Sequence, residues 1–387
     1  MPHKKNNPKV PNFKICLKSS DKKYVLGKVR QVLDGSRWTK GPLTRSCEEK
    51  FKKFVGAPYA IALSNGGVSL IAILQAMEIP EGSIVICPTM TAPPTPHAIL
   101  AAGMKVVFAD SSTADLGLSV EDVERKLKTY GSRVKALITV HVGGWISPRV
   151  TDLARLCEKY GIPLIEDCAH AHGSFFNGKH AGSFGWAASY SFFMTKSLTC
   201  GEGGMVTSGD KELIEALSVI SNYGKDDQGC HVRSGFNYRM SEFNAAVALW
   251  ASVYASRIID ERRKLAAHYD RLLAKMQGIT VFKVPGCRCG YYKYIALLDK
   301  GIDRDLFRKR LLEEHGVELA GGIYDTLCHQ EPYFRRIPDK ILNAEETFPL
   351  LEDFSRRQIC LPLYPGLKKG EQEYAAGAIR LLLKKML

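Results

Sequence analysis

Lys196 stands in the stretch Tyr190-Ser191-Phe192-Phe193-Met194-Thr195-Lys196-Ser197-Leu198-Thr199-Cys200-Gly201-Glu202-Gly203-Gly204, a solitary amine among hydroxyls, apolar residues and glycines. A lysine is ordinarily a solvated surface charge. Here no charged residue lies among the five before it, so nothing local would hold an ammonium, and partial desolvation would lower its pKa. A neutral amine in such a setting can attack a carbonyl and form an imine.

Two other groups could serve that chemistry. The apolar run Ile162-Pro163-Leu164-Ile165 ends in Glu166-Asp167-Cys168-Ala169-His170-Ala171-His172-Gly173, which reads as a buried strand delivering acids at its carboxyl end. Ligands gather at that edge of an open α/β sheet, although a carboxylate there can equally cap the next helix, and the two readings are compatible for Glu166 and Asp167. Upstream, Ala60-Ile61-Ala62-Leu63 passes through Ser64-Asn65-Gly66-Gly67-Val68 into the helix-period run Leu70, Leu74, Met77. Backbone amides at such a helix start can hold a phosphate, though strand-Gly-Gly-helix turns are common and mostly structural. His170, three residues beyond Asp167, falls on the same face of a turn or helix start, with a satisfied core histidine as the plainer alternative.

In this order, a phosphate cradle, an acid at a strand end and a desolvated lysine resemble the pyridoxal-phosphate aminotransferases of fold type I, and in detail the DegT/DnrJ/EryC1/StrS sugar aminotransferases. The resemblance covers most of the chain. It runs through Trp38-Thr39-Lys40-Gly41-Pro42, Ser64-Asn65-Gly66, Glu166-Asp167, the Lys196 stretch, Gly235-Phe236-Asn237-Tyr238-Arg239-Met240-Ser241-Glu242 and Leu361-Pro362-Leu363-Tyr364-Pro365. It implies an α/β fold with a mostly parallel central sheet flanked by helices, and a smaller α+β C-terminal domain. It implies pyridoxal 5'-phosphate as cofactor, with Lys196 as the Schiff-base lysine, Asp167 on the pyridine nitrogen and His170 near the phenolic oxygen. Ser191, Gly67 and Val68 would hold the phosphate beside Gly66, and Asn237 would cross a homodimer interface to the partner's phosphate. Arg239 would organise that block, and His329, in Cys328-His329-Gln330-Glu331-Pro332, would contact substrate, with a core or solvent-facing histidine as the alternative.

The implied reaction moves an amino group from an amino-acid donor, glutamate, to a nucleotide-linked 4-keto-6-deoxy sugar. A keto-cyclitol aminotransferase of an antibiotic route shares every motif, and a sensor that binds cofactor or sugar without turnover is a third reading. Dehydratases on the same scaffold carry histidine in place of the imine lysine, so Lys196 argues against one. A nicotinamide dehydrogenase is disfavoured because Gly201-Glu202-Gly203-Gly204 precedes the strand-like Met205-Val206-Thr207 rather than a helix. Two departures stand out: the family usually has threonine at Gly67 and an aromatic ring at Ala92, within Pro88-Thr89-Met90-Thr91-Ala92. Met90 is the expected filler of the space left at Ala92.

The elements that must position these groups are legible as apolar strands over Tyr59 to Leu63, Ile84 to Cys87, Val106 to Ala109, Ala136 to Val140 and Leu164 to Ile165, alternating with helices. A capping-box-like start appears at Ser119-Val120-Glu121-Asp122. Ser241 to Met276 lacks glycine and proline and reads as one long helix, with Phe243, Val247, Trp250, Tyr254 and Ile258 at helical spacing. The expected division is a basic arm over 1–30, a large cofactor-binding domain over 31–250, and a linking helix with a small domain over 251–387, with Gly321 to His329 looping toward the cleft.

At 387 residues and 45% hydrophobic content the chain can bury a large core. It lacks an apolar run long enough for a membrane span and shows no secretory apolar core near Met1, so a cytoplasmic location is expected. Eleven cysteines without paired ligand spacing fit reduced thiols; Cys287-Arg288-Cys289 alone is too little for zinc, and no metal is expected. The net charge of +14 is spread over helices without a nucleic-acid signature, and would steer anionic substrates.

Overall fold

The computed structural model describes residues 8–387. The described residues form thirteen strands in three sheets. They are β1 (Tyr59–Leu63), β2 (Ile84–Pro88), β3 (Lys105–Ala109), β4 (Val134–Val140), β5 (Leu164–Asp167), β6 (Phe175–Phe176), β7 (Lys179–His180), β8 (Ala187–Ser191), β9 (Gly204–Ser208), β10 (Ile279–Val281), β11 (Cys287–Arg288), β12 (Tyr294–Leu298) and β13 (Gln358–Leu361). The large sheet has the order β1-β9-β8-β5-β4-β2-β3, and only β9 runs against its neighbours. All five residues of β2, β8 and β9 are buried, because helices cover both faces of the sheet. A three-stranded sheet, β10-β12-β13, packs with helices Ala255–Leu273 and Lys369–Met386 around a separate apolar cluster that includes Tyr269, Tyr294 and Phe307.

The five strands expected from apolar runs are all present, each within two residues of its expected bounds. The helix after Ser119 starts as expected, with the Ser119 hydroxyl accepting from the Asp122 amide, but the capping box is only half made. Asp122 instead accepts from the Asp110 amide, tying the helix to the end of β3.

The long helix is not continuous. It is Glu242–Val253 followed by Ala255–Leu273, broken at Tyr254, whose φ of −103° and ψ of 15° leave the helical region. The Tyr254 ring turns out against Tyr24, with the Arg257 guanidinium over it. With neither glycine nor proline nearby, composition gave no sign of this bend. Tyr24 belongs to helix Ser19–Leu33, so much of the stretch expected as a basic arm is a packed helix, further tied by an Asp21–Arg257 ion pair at 2.7 Å. Residues 1–7 of that stretch lie outside the described residues.

Two of the quoted blocks meet. Glu242, fully buried, accepts the Gly41, Leu43 and Thr44 amides at 3.0, 2.8 and 2.9 Å, capping helix Pro42–Val55. A side chain at Gly41 would lie 2.6 Å from the Glu242 carboxyl carbon, which is why glycine stands there.

Candidate active site

Consecutive strand residues point to opposite faces of a sheet, and β5 divides Glu166 from Asp167 in this way. Glu166 accepts from His141 Nε2 at 2.8 Å and from the amides of Gly182, Phe184 and Gly185 at 2.8, 2.7 and 2.7 Å. Burial alone would push its pKa up, but the His141 contact and these amides hold it below the ordinary glutamate value. His141, Glu166 and Cys168 come within 4.8 Å of one another, a metal-like spacing. The Glu166 oxygens are already saturated and burial drives the Cys168 thiol well above its ordinary pKa, so this trio braces the fold.

Asp167 faces the other side. One oxygen accepts from the Ala169 amide at 3.0 Å and the other from the Thr95 hydroxyl at 2.9 Å, with Thr91 a further 2.8 Å beyond Thr95. The strand end and the start of helix Pro94–Ala101 thus fix the carboxylate together. Asp167 lies near enough to Lys196 to stabilise its charged form.

Lys196 sits in the loop joining β8 to β9, where its amide donates to the Phe193 carbonyl at 2.9 Å. Its Nζ lies 4.8 Å from the centre of the Tyr292 ring. Burial lowers the amine's pKa below the ordinary lysine value; Tyr292 and Asp167 pull it up, and Lys293 pulls it down. Tyr292 is held below the ordinary phenol value, because the Lys196 and Lys293 charges and the Thr195 hydroxyl outweigh its burial.

His170 is buried and stacked 4.0 Å from the Tyr292 ring at an interplanar angle of 18°. Burial, reinforced by the Lys196 and Lys293 charges, pushes its pKa well below the ordinary histidine value, so it is neutral and can both donate and accept. Ser191, at the end of β8, is buried against the glycine turn: a side chain on Gly66 would come within 2.8 Å of the Ser191 Cβ. Helix Gly66–Ala76 is capped by Asn65, whose side chain accepts the Val68 amide at 2.8 Å. Val68 is therefore engaged by the cap, while the Gly66 and Gly67 amides find no acceptor among the described residues.

The remaining expected residues are placed differently. Asn237 is exposed and makes no hydrogen bond within its own chain among the described residues. Arg239 bonds Asn222 at 2.8 Å and lies 4.7 Å over the Tyr223 ring. His329 is buried with both ring nitrogens engaged, Nδ1 with the Thr89 hydroxyl at 2.7 Å and Nε2 with Glu352 at 3.1 Å. It pins β2 to helix Pro349–Arg357 and has no nitrogen left for a substrate, which is the core alternative rather than the contact expected. Met90, expected to fill the space at Ala92, is fully buried in the main core.

That space is met by Tyr324, from the loop expected to reach the cleft. Its phenol comes up beside the Ala92 backbone and lies 3.5 Å from His170 Nδ1, its ring stacks 5.8 Å from His170, and its carbonyl accepts from Ser355 and Gln358 at 2.8 Å each. Thr91, Thr95, Tyr292, Lys293 and Tyr324 were not singled out from sequence as site residues. The four-residue spacing of Thr91 and Thr95 ahead of a helix was the one local signal; the others arrive only through the tertiary fold.

The assembled groups are a desolvated amine, a fixed carboxylate, a neutral histidine and two free amides at a helix start beside a serine. A model of the DegT/DnrJ/EryC1/StrS aminotransferase family matches residues 19–380. The chain belongs to that family. Its relatives include a GDP-perosamine synthase of Vibrio cholerae, 31% identical over 365 residues that cover 92% of this chain and 95% of that protein. A pleiotropic regulatory protein of Geobacillus stearothermophilus is 31% identical over 354 residues, covering 90% and 91%. Among solved structures, S. venezuelae DesV in complex with a ketimine intermediate superimposes with a TM-score of 0.88 at 27% identity, covering 97% of this chain and 99% of that one. As a DegT/DnrJ/EryC1/StrS aminotransferase the chain is an enzyme of the pyridoxal-phosphate-dependent class. The residues present fit that group: the side-chain-free cradle at Gly66 and Gly67 suits a phosphate, and Lys196 suits an aldehyde.

Proposed function

We propose that this family member transfers an amino group from glutamate to a nucleotide-linked 4-keto-6-deoxy sugar, working as a homodimer. The observation that carries the reading is Lys196: an amine with its pKa lowered by burial, near a carboxylate that its own strand end and helix Pro94–Ala101 hold in place. The Vibrio relative supplies the sugar class, being named for a GDP-linked amino sugar.

Asp167 would meet the ring nitrogen, His170 the phenolic oxygen, and Ser191 with the Gly66 and Gly67 amides the phosphate. Bound there, pyridoxal phosphate supplies an aldehyde to carry the amino group and a ring that accepts the electron pair released when a C–H bond breaks. Lys196 would take the proton from the donor's α-carbon and return it, from the same face, at the other end of the conjugated system. Asp167 keeps the nitrogen's proton in place by its negative charge, and His170, neutral, can donate to the phenolic oxygen. Asn237, exposed in its own chain, would complete the partner's phosphate site.

Glutamate added to the cofactor-loaded protein should bleach the visible absorbance, and a 4-keto-6-deoxy nucleotide sugar should restore it. Borohydride should trap the cofactor on Lys196, and Lys196→Ala should abolish both responses. The name of the Geobacillus relative gives the sensor reading its support. A loaded protein whose spectrum glutamate leaves unchanged would decide for that reading and against ours.

A further inference from the structure

Two lysines share one ring. The Lys196 and Lys293 ammonium groups lie 4.8 and 5.3 Å from the centre of Tyr292, and Lys293, half-buried, immediately precedes β12. The buried Lys126, by contrast, is paired, meeting Glu346 at 2.6 Å. Lys293 has no carboxylate within ion-pair reach among the described residues. A partly desolvated ammonium without a counter-charge is costly, so the site holds positive charge awaiting an anion. That charge is felt at Lys196, His170 and Tyr292, each of which Lys293 shifts downward.

Resting on the aminotransferase reading above, we infer that Lys293 is the anchor for the α-carboxylate of the amino donor. The donor's amino group reacts where the Lys196 nitrogen stands, and its α-carboxylate is bonded to the same carbon, so the cation receiving it must share the immediate surroundings of Lys196. The diphosphate of a nucleotide sugar is separated from the reacting carbonyl by the sugar ring and needs a cation farther out. Arginine would offer a fork to the carboxylate; lysine offers a single point charge beside Tyr292.

The test is a spectral titration of cofactor-loaded protein with α-methyl-L-glutamate, which can join the cofactor but has no α-hydrogen to lose. Its companion probe is 4-amino-4-methylpentanoate, in which a methyl group replaces the α-carboxylate. Lys293→Met should weaken α-methyl-L-glutamate binding at least about 10-fold and leave the companion unchanged, and Lys293→Arg should recover most of the loss. GDP binding, followed by calorimetry, should be the same in all three proteins. Unchanged α-methyl-L-glutamate affinity in Lys293→Met overturns the inference, as does equal weakening of both probes, or lost GDP binding in place of lost donor binding. Wild-type protein that responds to neither glutamate nor its α-methyl analogue instead fails the aminotransferase reading itself.

Discussion

Glu166 and Asp167 are neighbours on β5 with opposite duties. On one face of the sheet, Glu166 accepts four hydrogen bonds and is completely buried. On the other, Asp167 accepts two, from Ala169 and the Thr95 hydroxyl. An ionised carboxylate offers about four acceptor positions, so Glu166 is filled and Asp167 keeps capacity on the side of Lys196. A carboxylate whose lone pairs are all taken can fix a loop, but it cannot meet a ligand without releasing what it holds. One strand thus provides a brace and a reactive group in consecutive positions.

The widest separation between the two faces should come from Asp167→Asn. Its oxygen still accepts from the Ala169 amide and its NH2 can donate to a Thr95 hydroxyl turned toward Thr91, but it loses the charge that would hold a proton on the ring nitrogen. Turnover of a keto-sugar should fall by about 10³-fold or more, roughly 4 kcal/mol of transition-state stabilisation, with the unfolding midpoint nearly unmoved. Glu166→Gln should do the reverse. Its amide nitrogen would face donors, and a buried charge-assisted cluster would lose its counterpart, costing about 3 kcal/mol in a denaturant titration. The protein that remains folded should turn over within about threefold of normal. Equal damage to stability and turnover in both variants would dissolve the contrast.

Sequence made part of the site face legible and concealed the rest. Lys196, Asp167, Ser191 and the glycine turn lie at strand ends, where apolar runs and turn residues mark positions directly. Tyr292 and Tyr324 reach the same cleft from far along the chain, and nothing local in Tyr291-Tyr292-Lys293 or Ile323-Tyr324-Asp325 separates a site ring from a core ring. His329 failed for the converse reason: a motif marked it, but Thr89 and Glu352, which satisfy it, are distant in sequence. Ala92 marks a missing ring in the sequence, but Tyr324, which comes up beside its backbone, lies 232 positions on. Tyr324→Ala should therefore raise the dissociation constant for pyridoxal phosphate about 10-fold, near the worth of one aromatic contact, while Tyr324→Phe should stay within about twofold. Absorbance titration measures both, and matching losses would assign the effect to the hydroxyl instead of the ring.

The effect that vanishes at neutral pH lies behind the site, where acid should unfold the protein through histidines that do no chemistry. His172 is buried among Phe51, Tyr190 and Phe192 with neither ring nitrogen partnered, and burial lowers its pKa to about 3. His180, which accepts the Gly173 amide at 2.9 Å, is lowered to about 4, chiefly by burial. An unfolded chain binds these protons near pH 6.5. Above that value neither state is protonated and stability is full. As pH falls below it, the unfolded chain takes up protons that the folded chain refuses, and each histidine removes about 1.4 kcal/mol per pH unit. The loss ends near pH 4 for His180 and near pH 3 for His172. His172→Phe should flatten the stability profile by that one-histidine slope between pH 6 and 4 and leave stability at pH 7 unchanged or higher, since no hydrogen bond is lost. Denaturant titrations across the range read the slope directly. An unaltered slope would mean that His172 already binds its proton in the folded state, and the acid sensitivity would then rest on His180 and, at the site face, on His170.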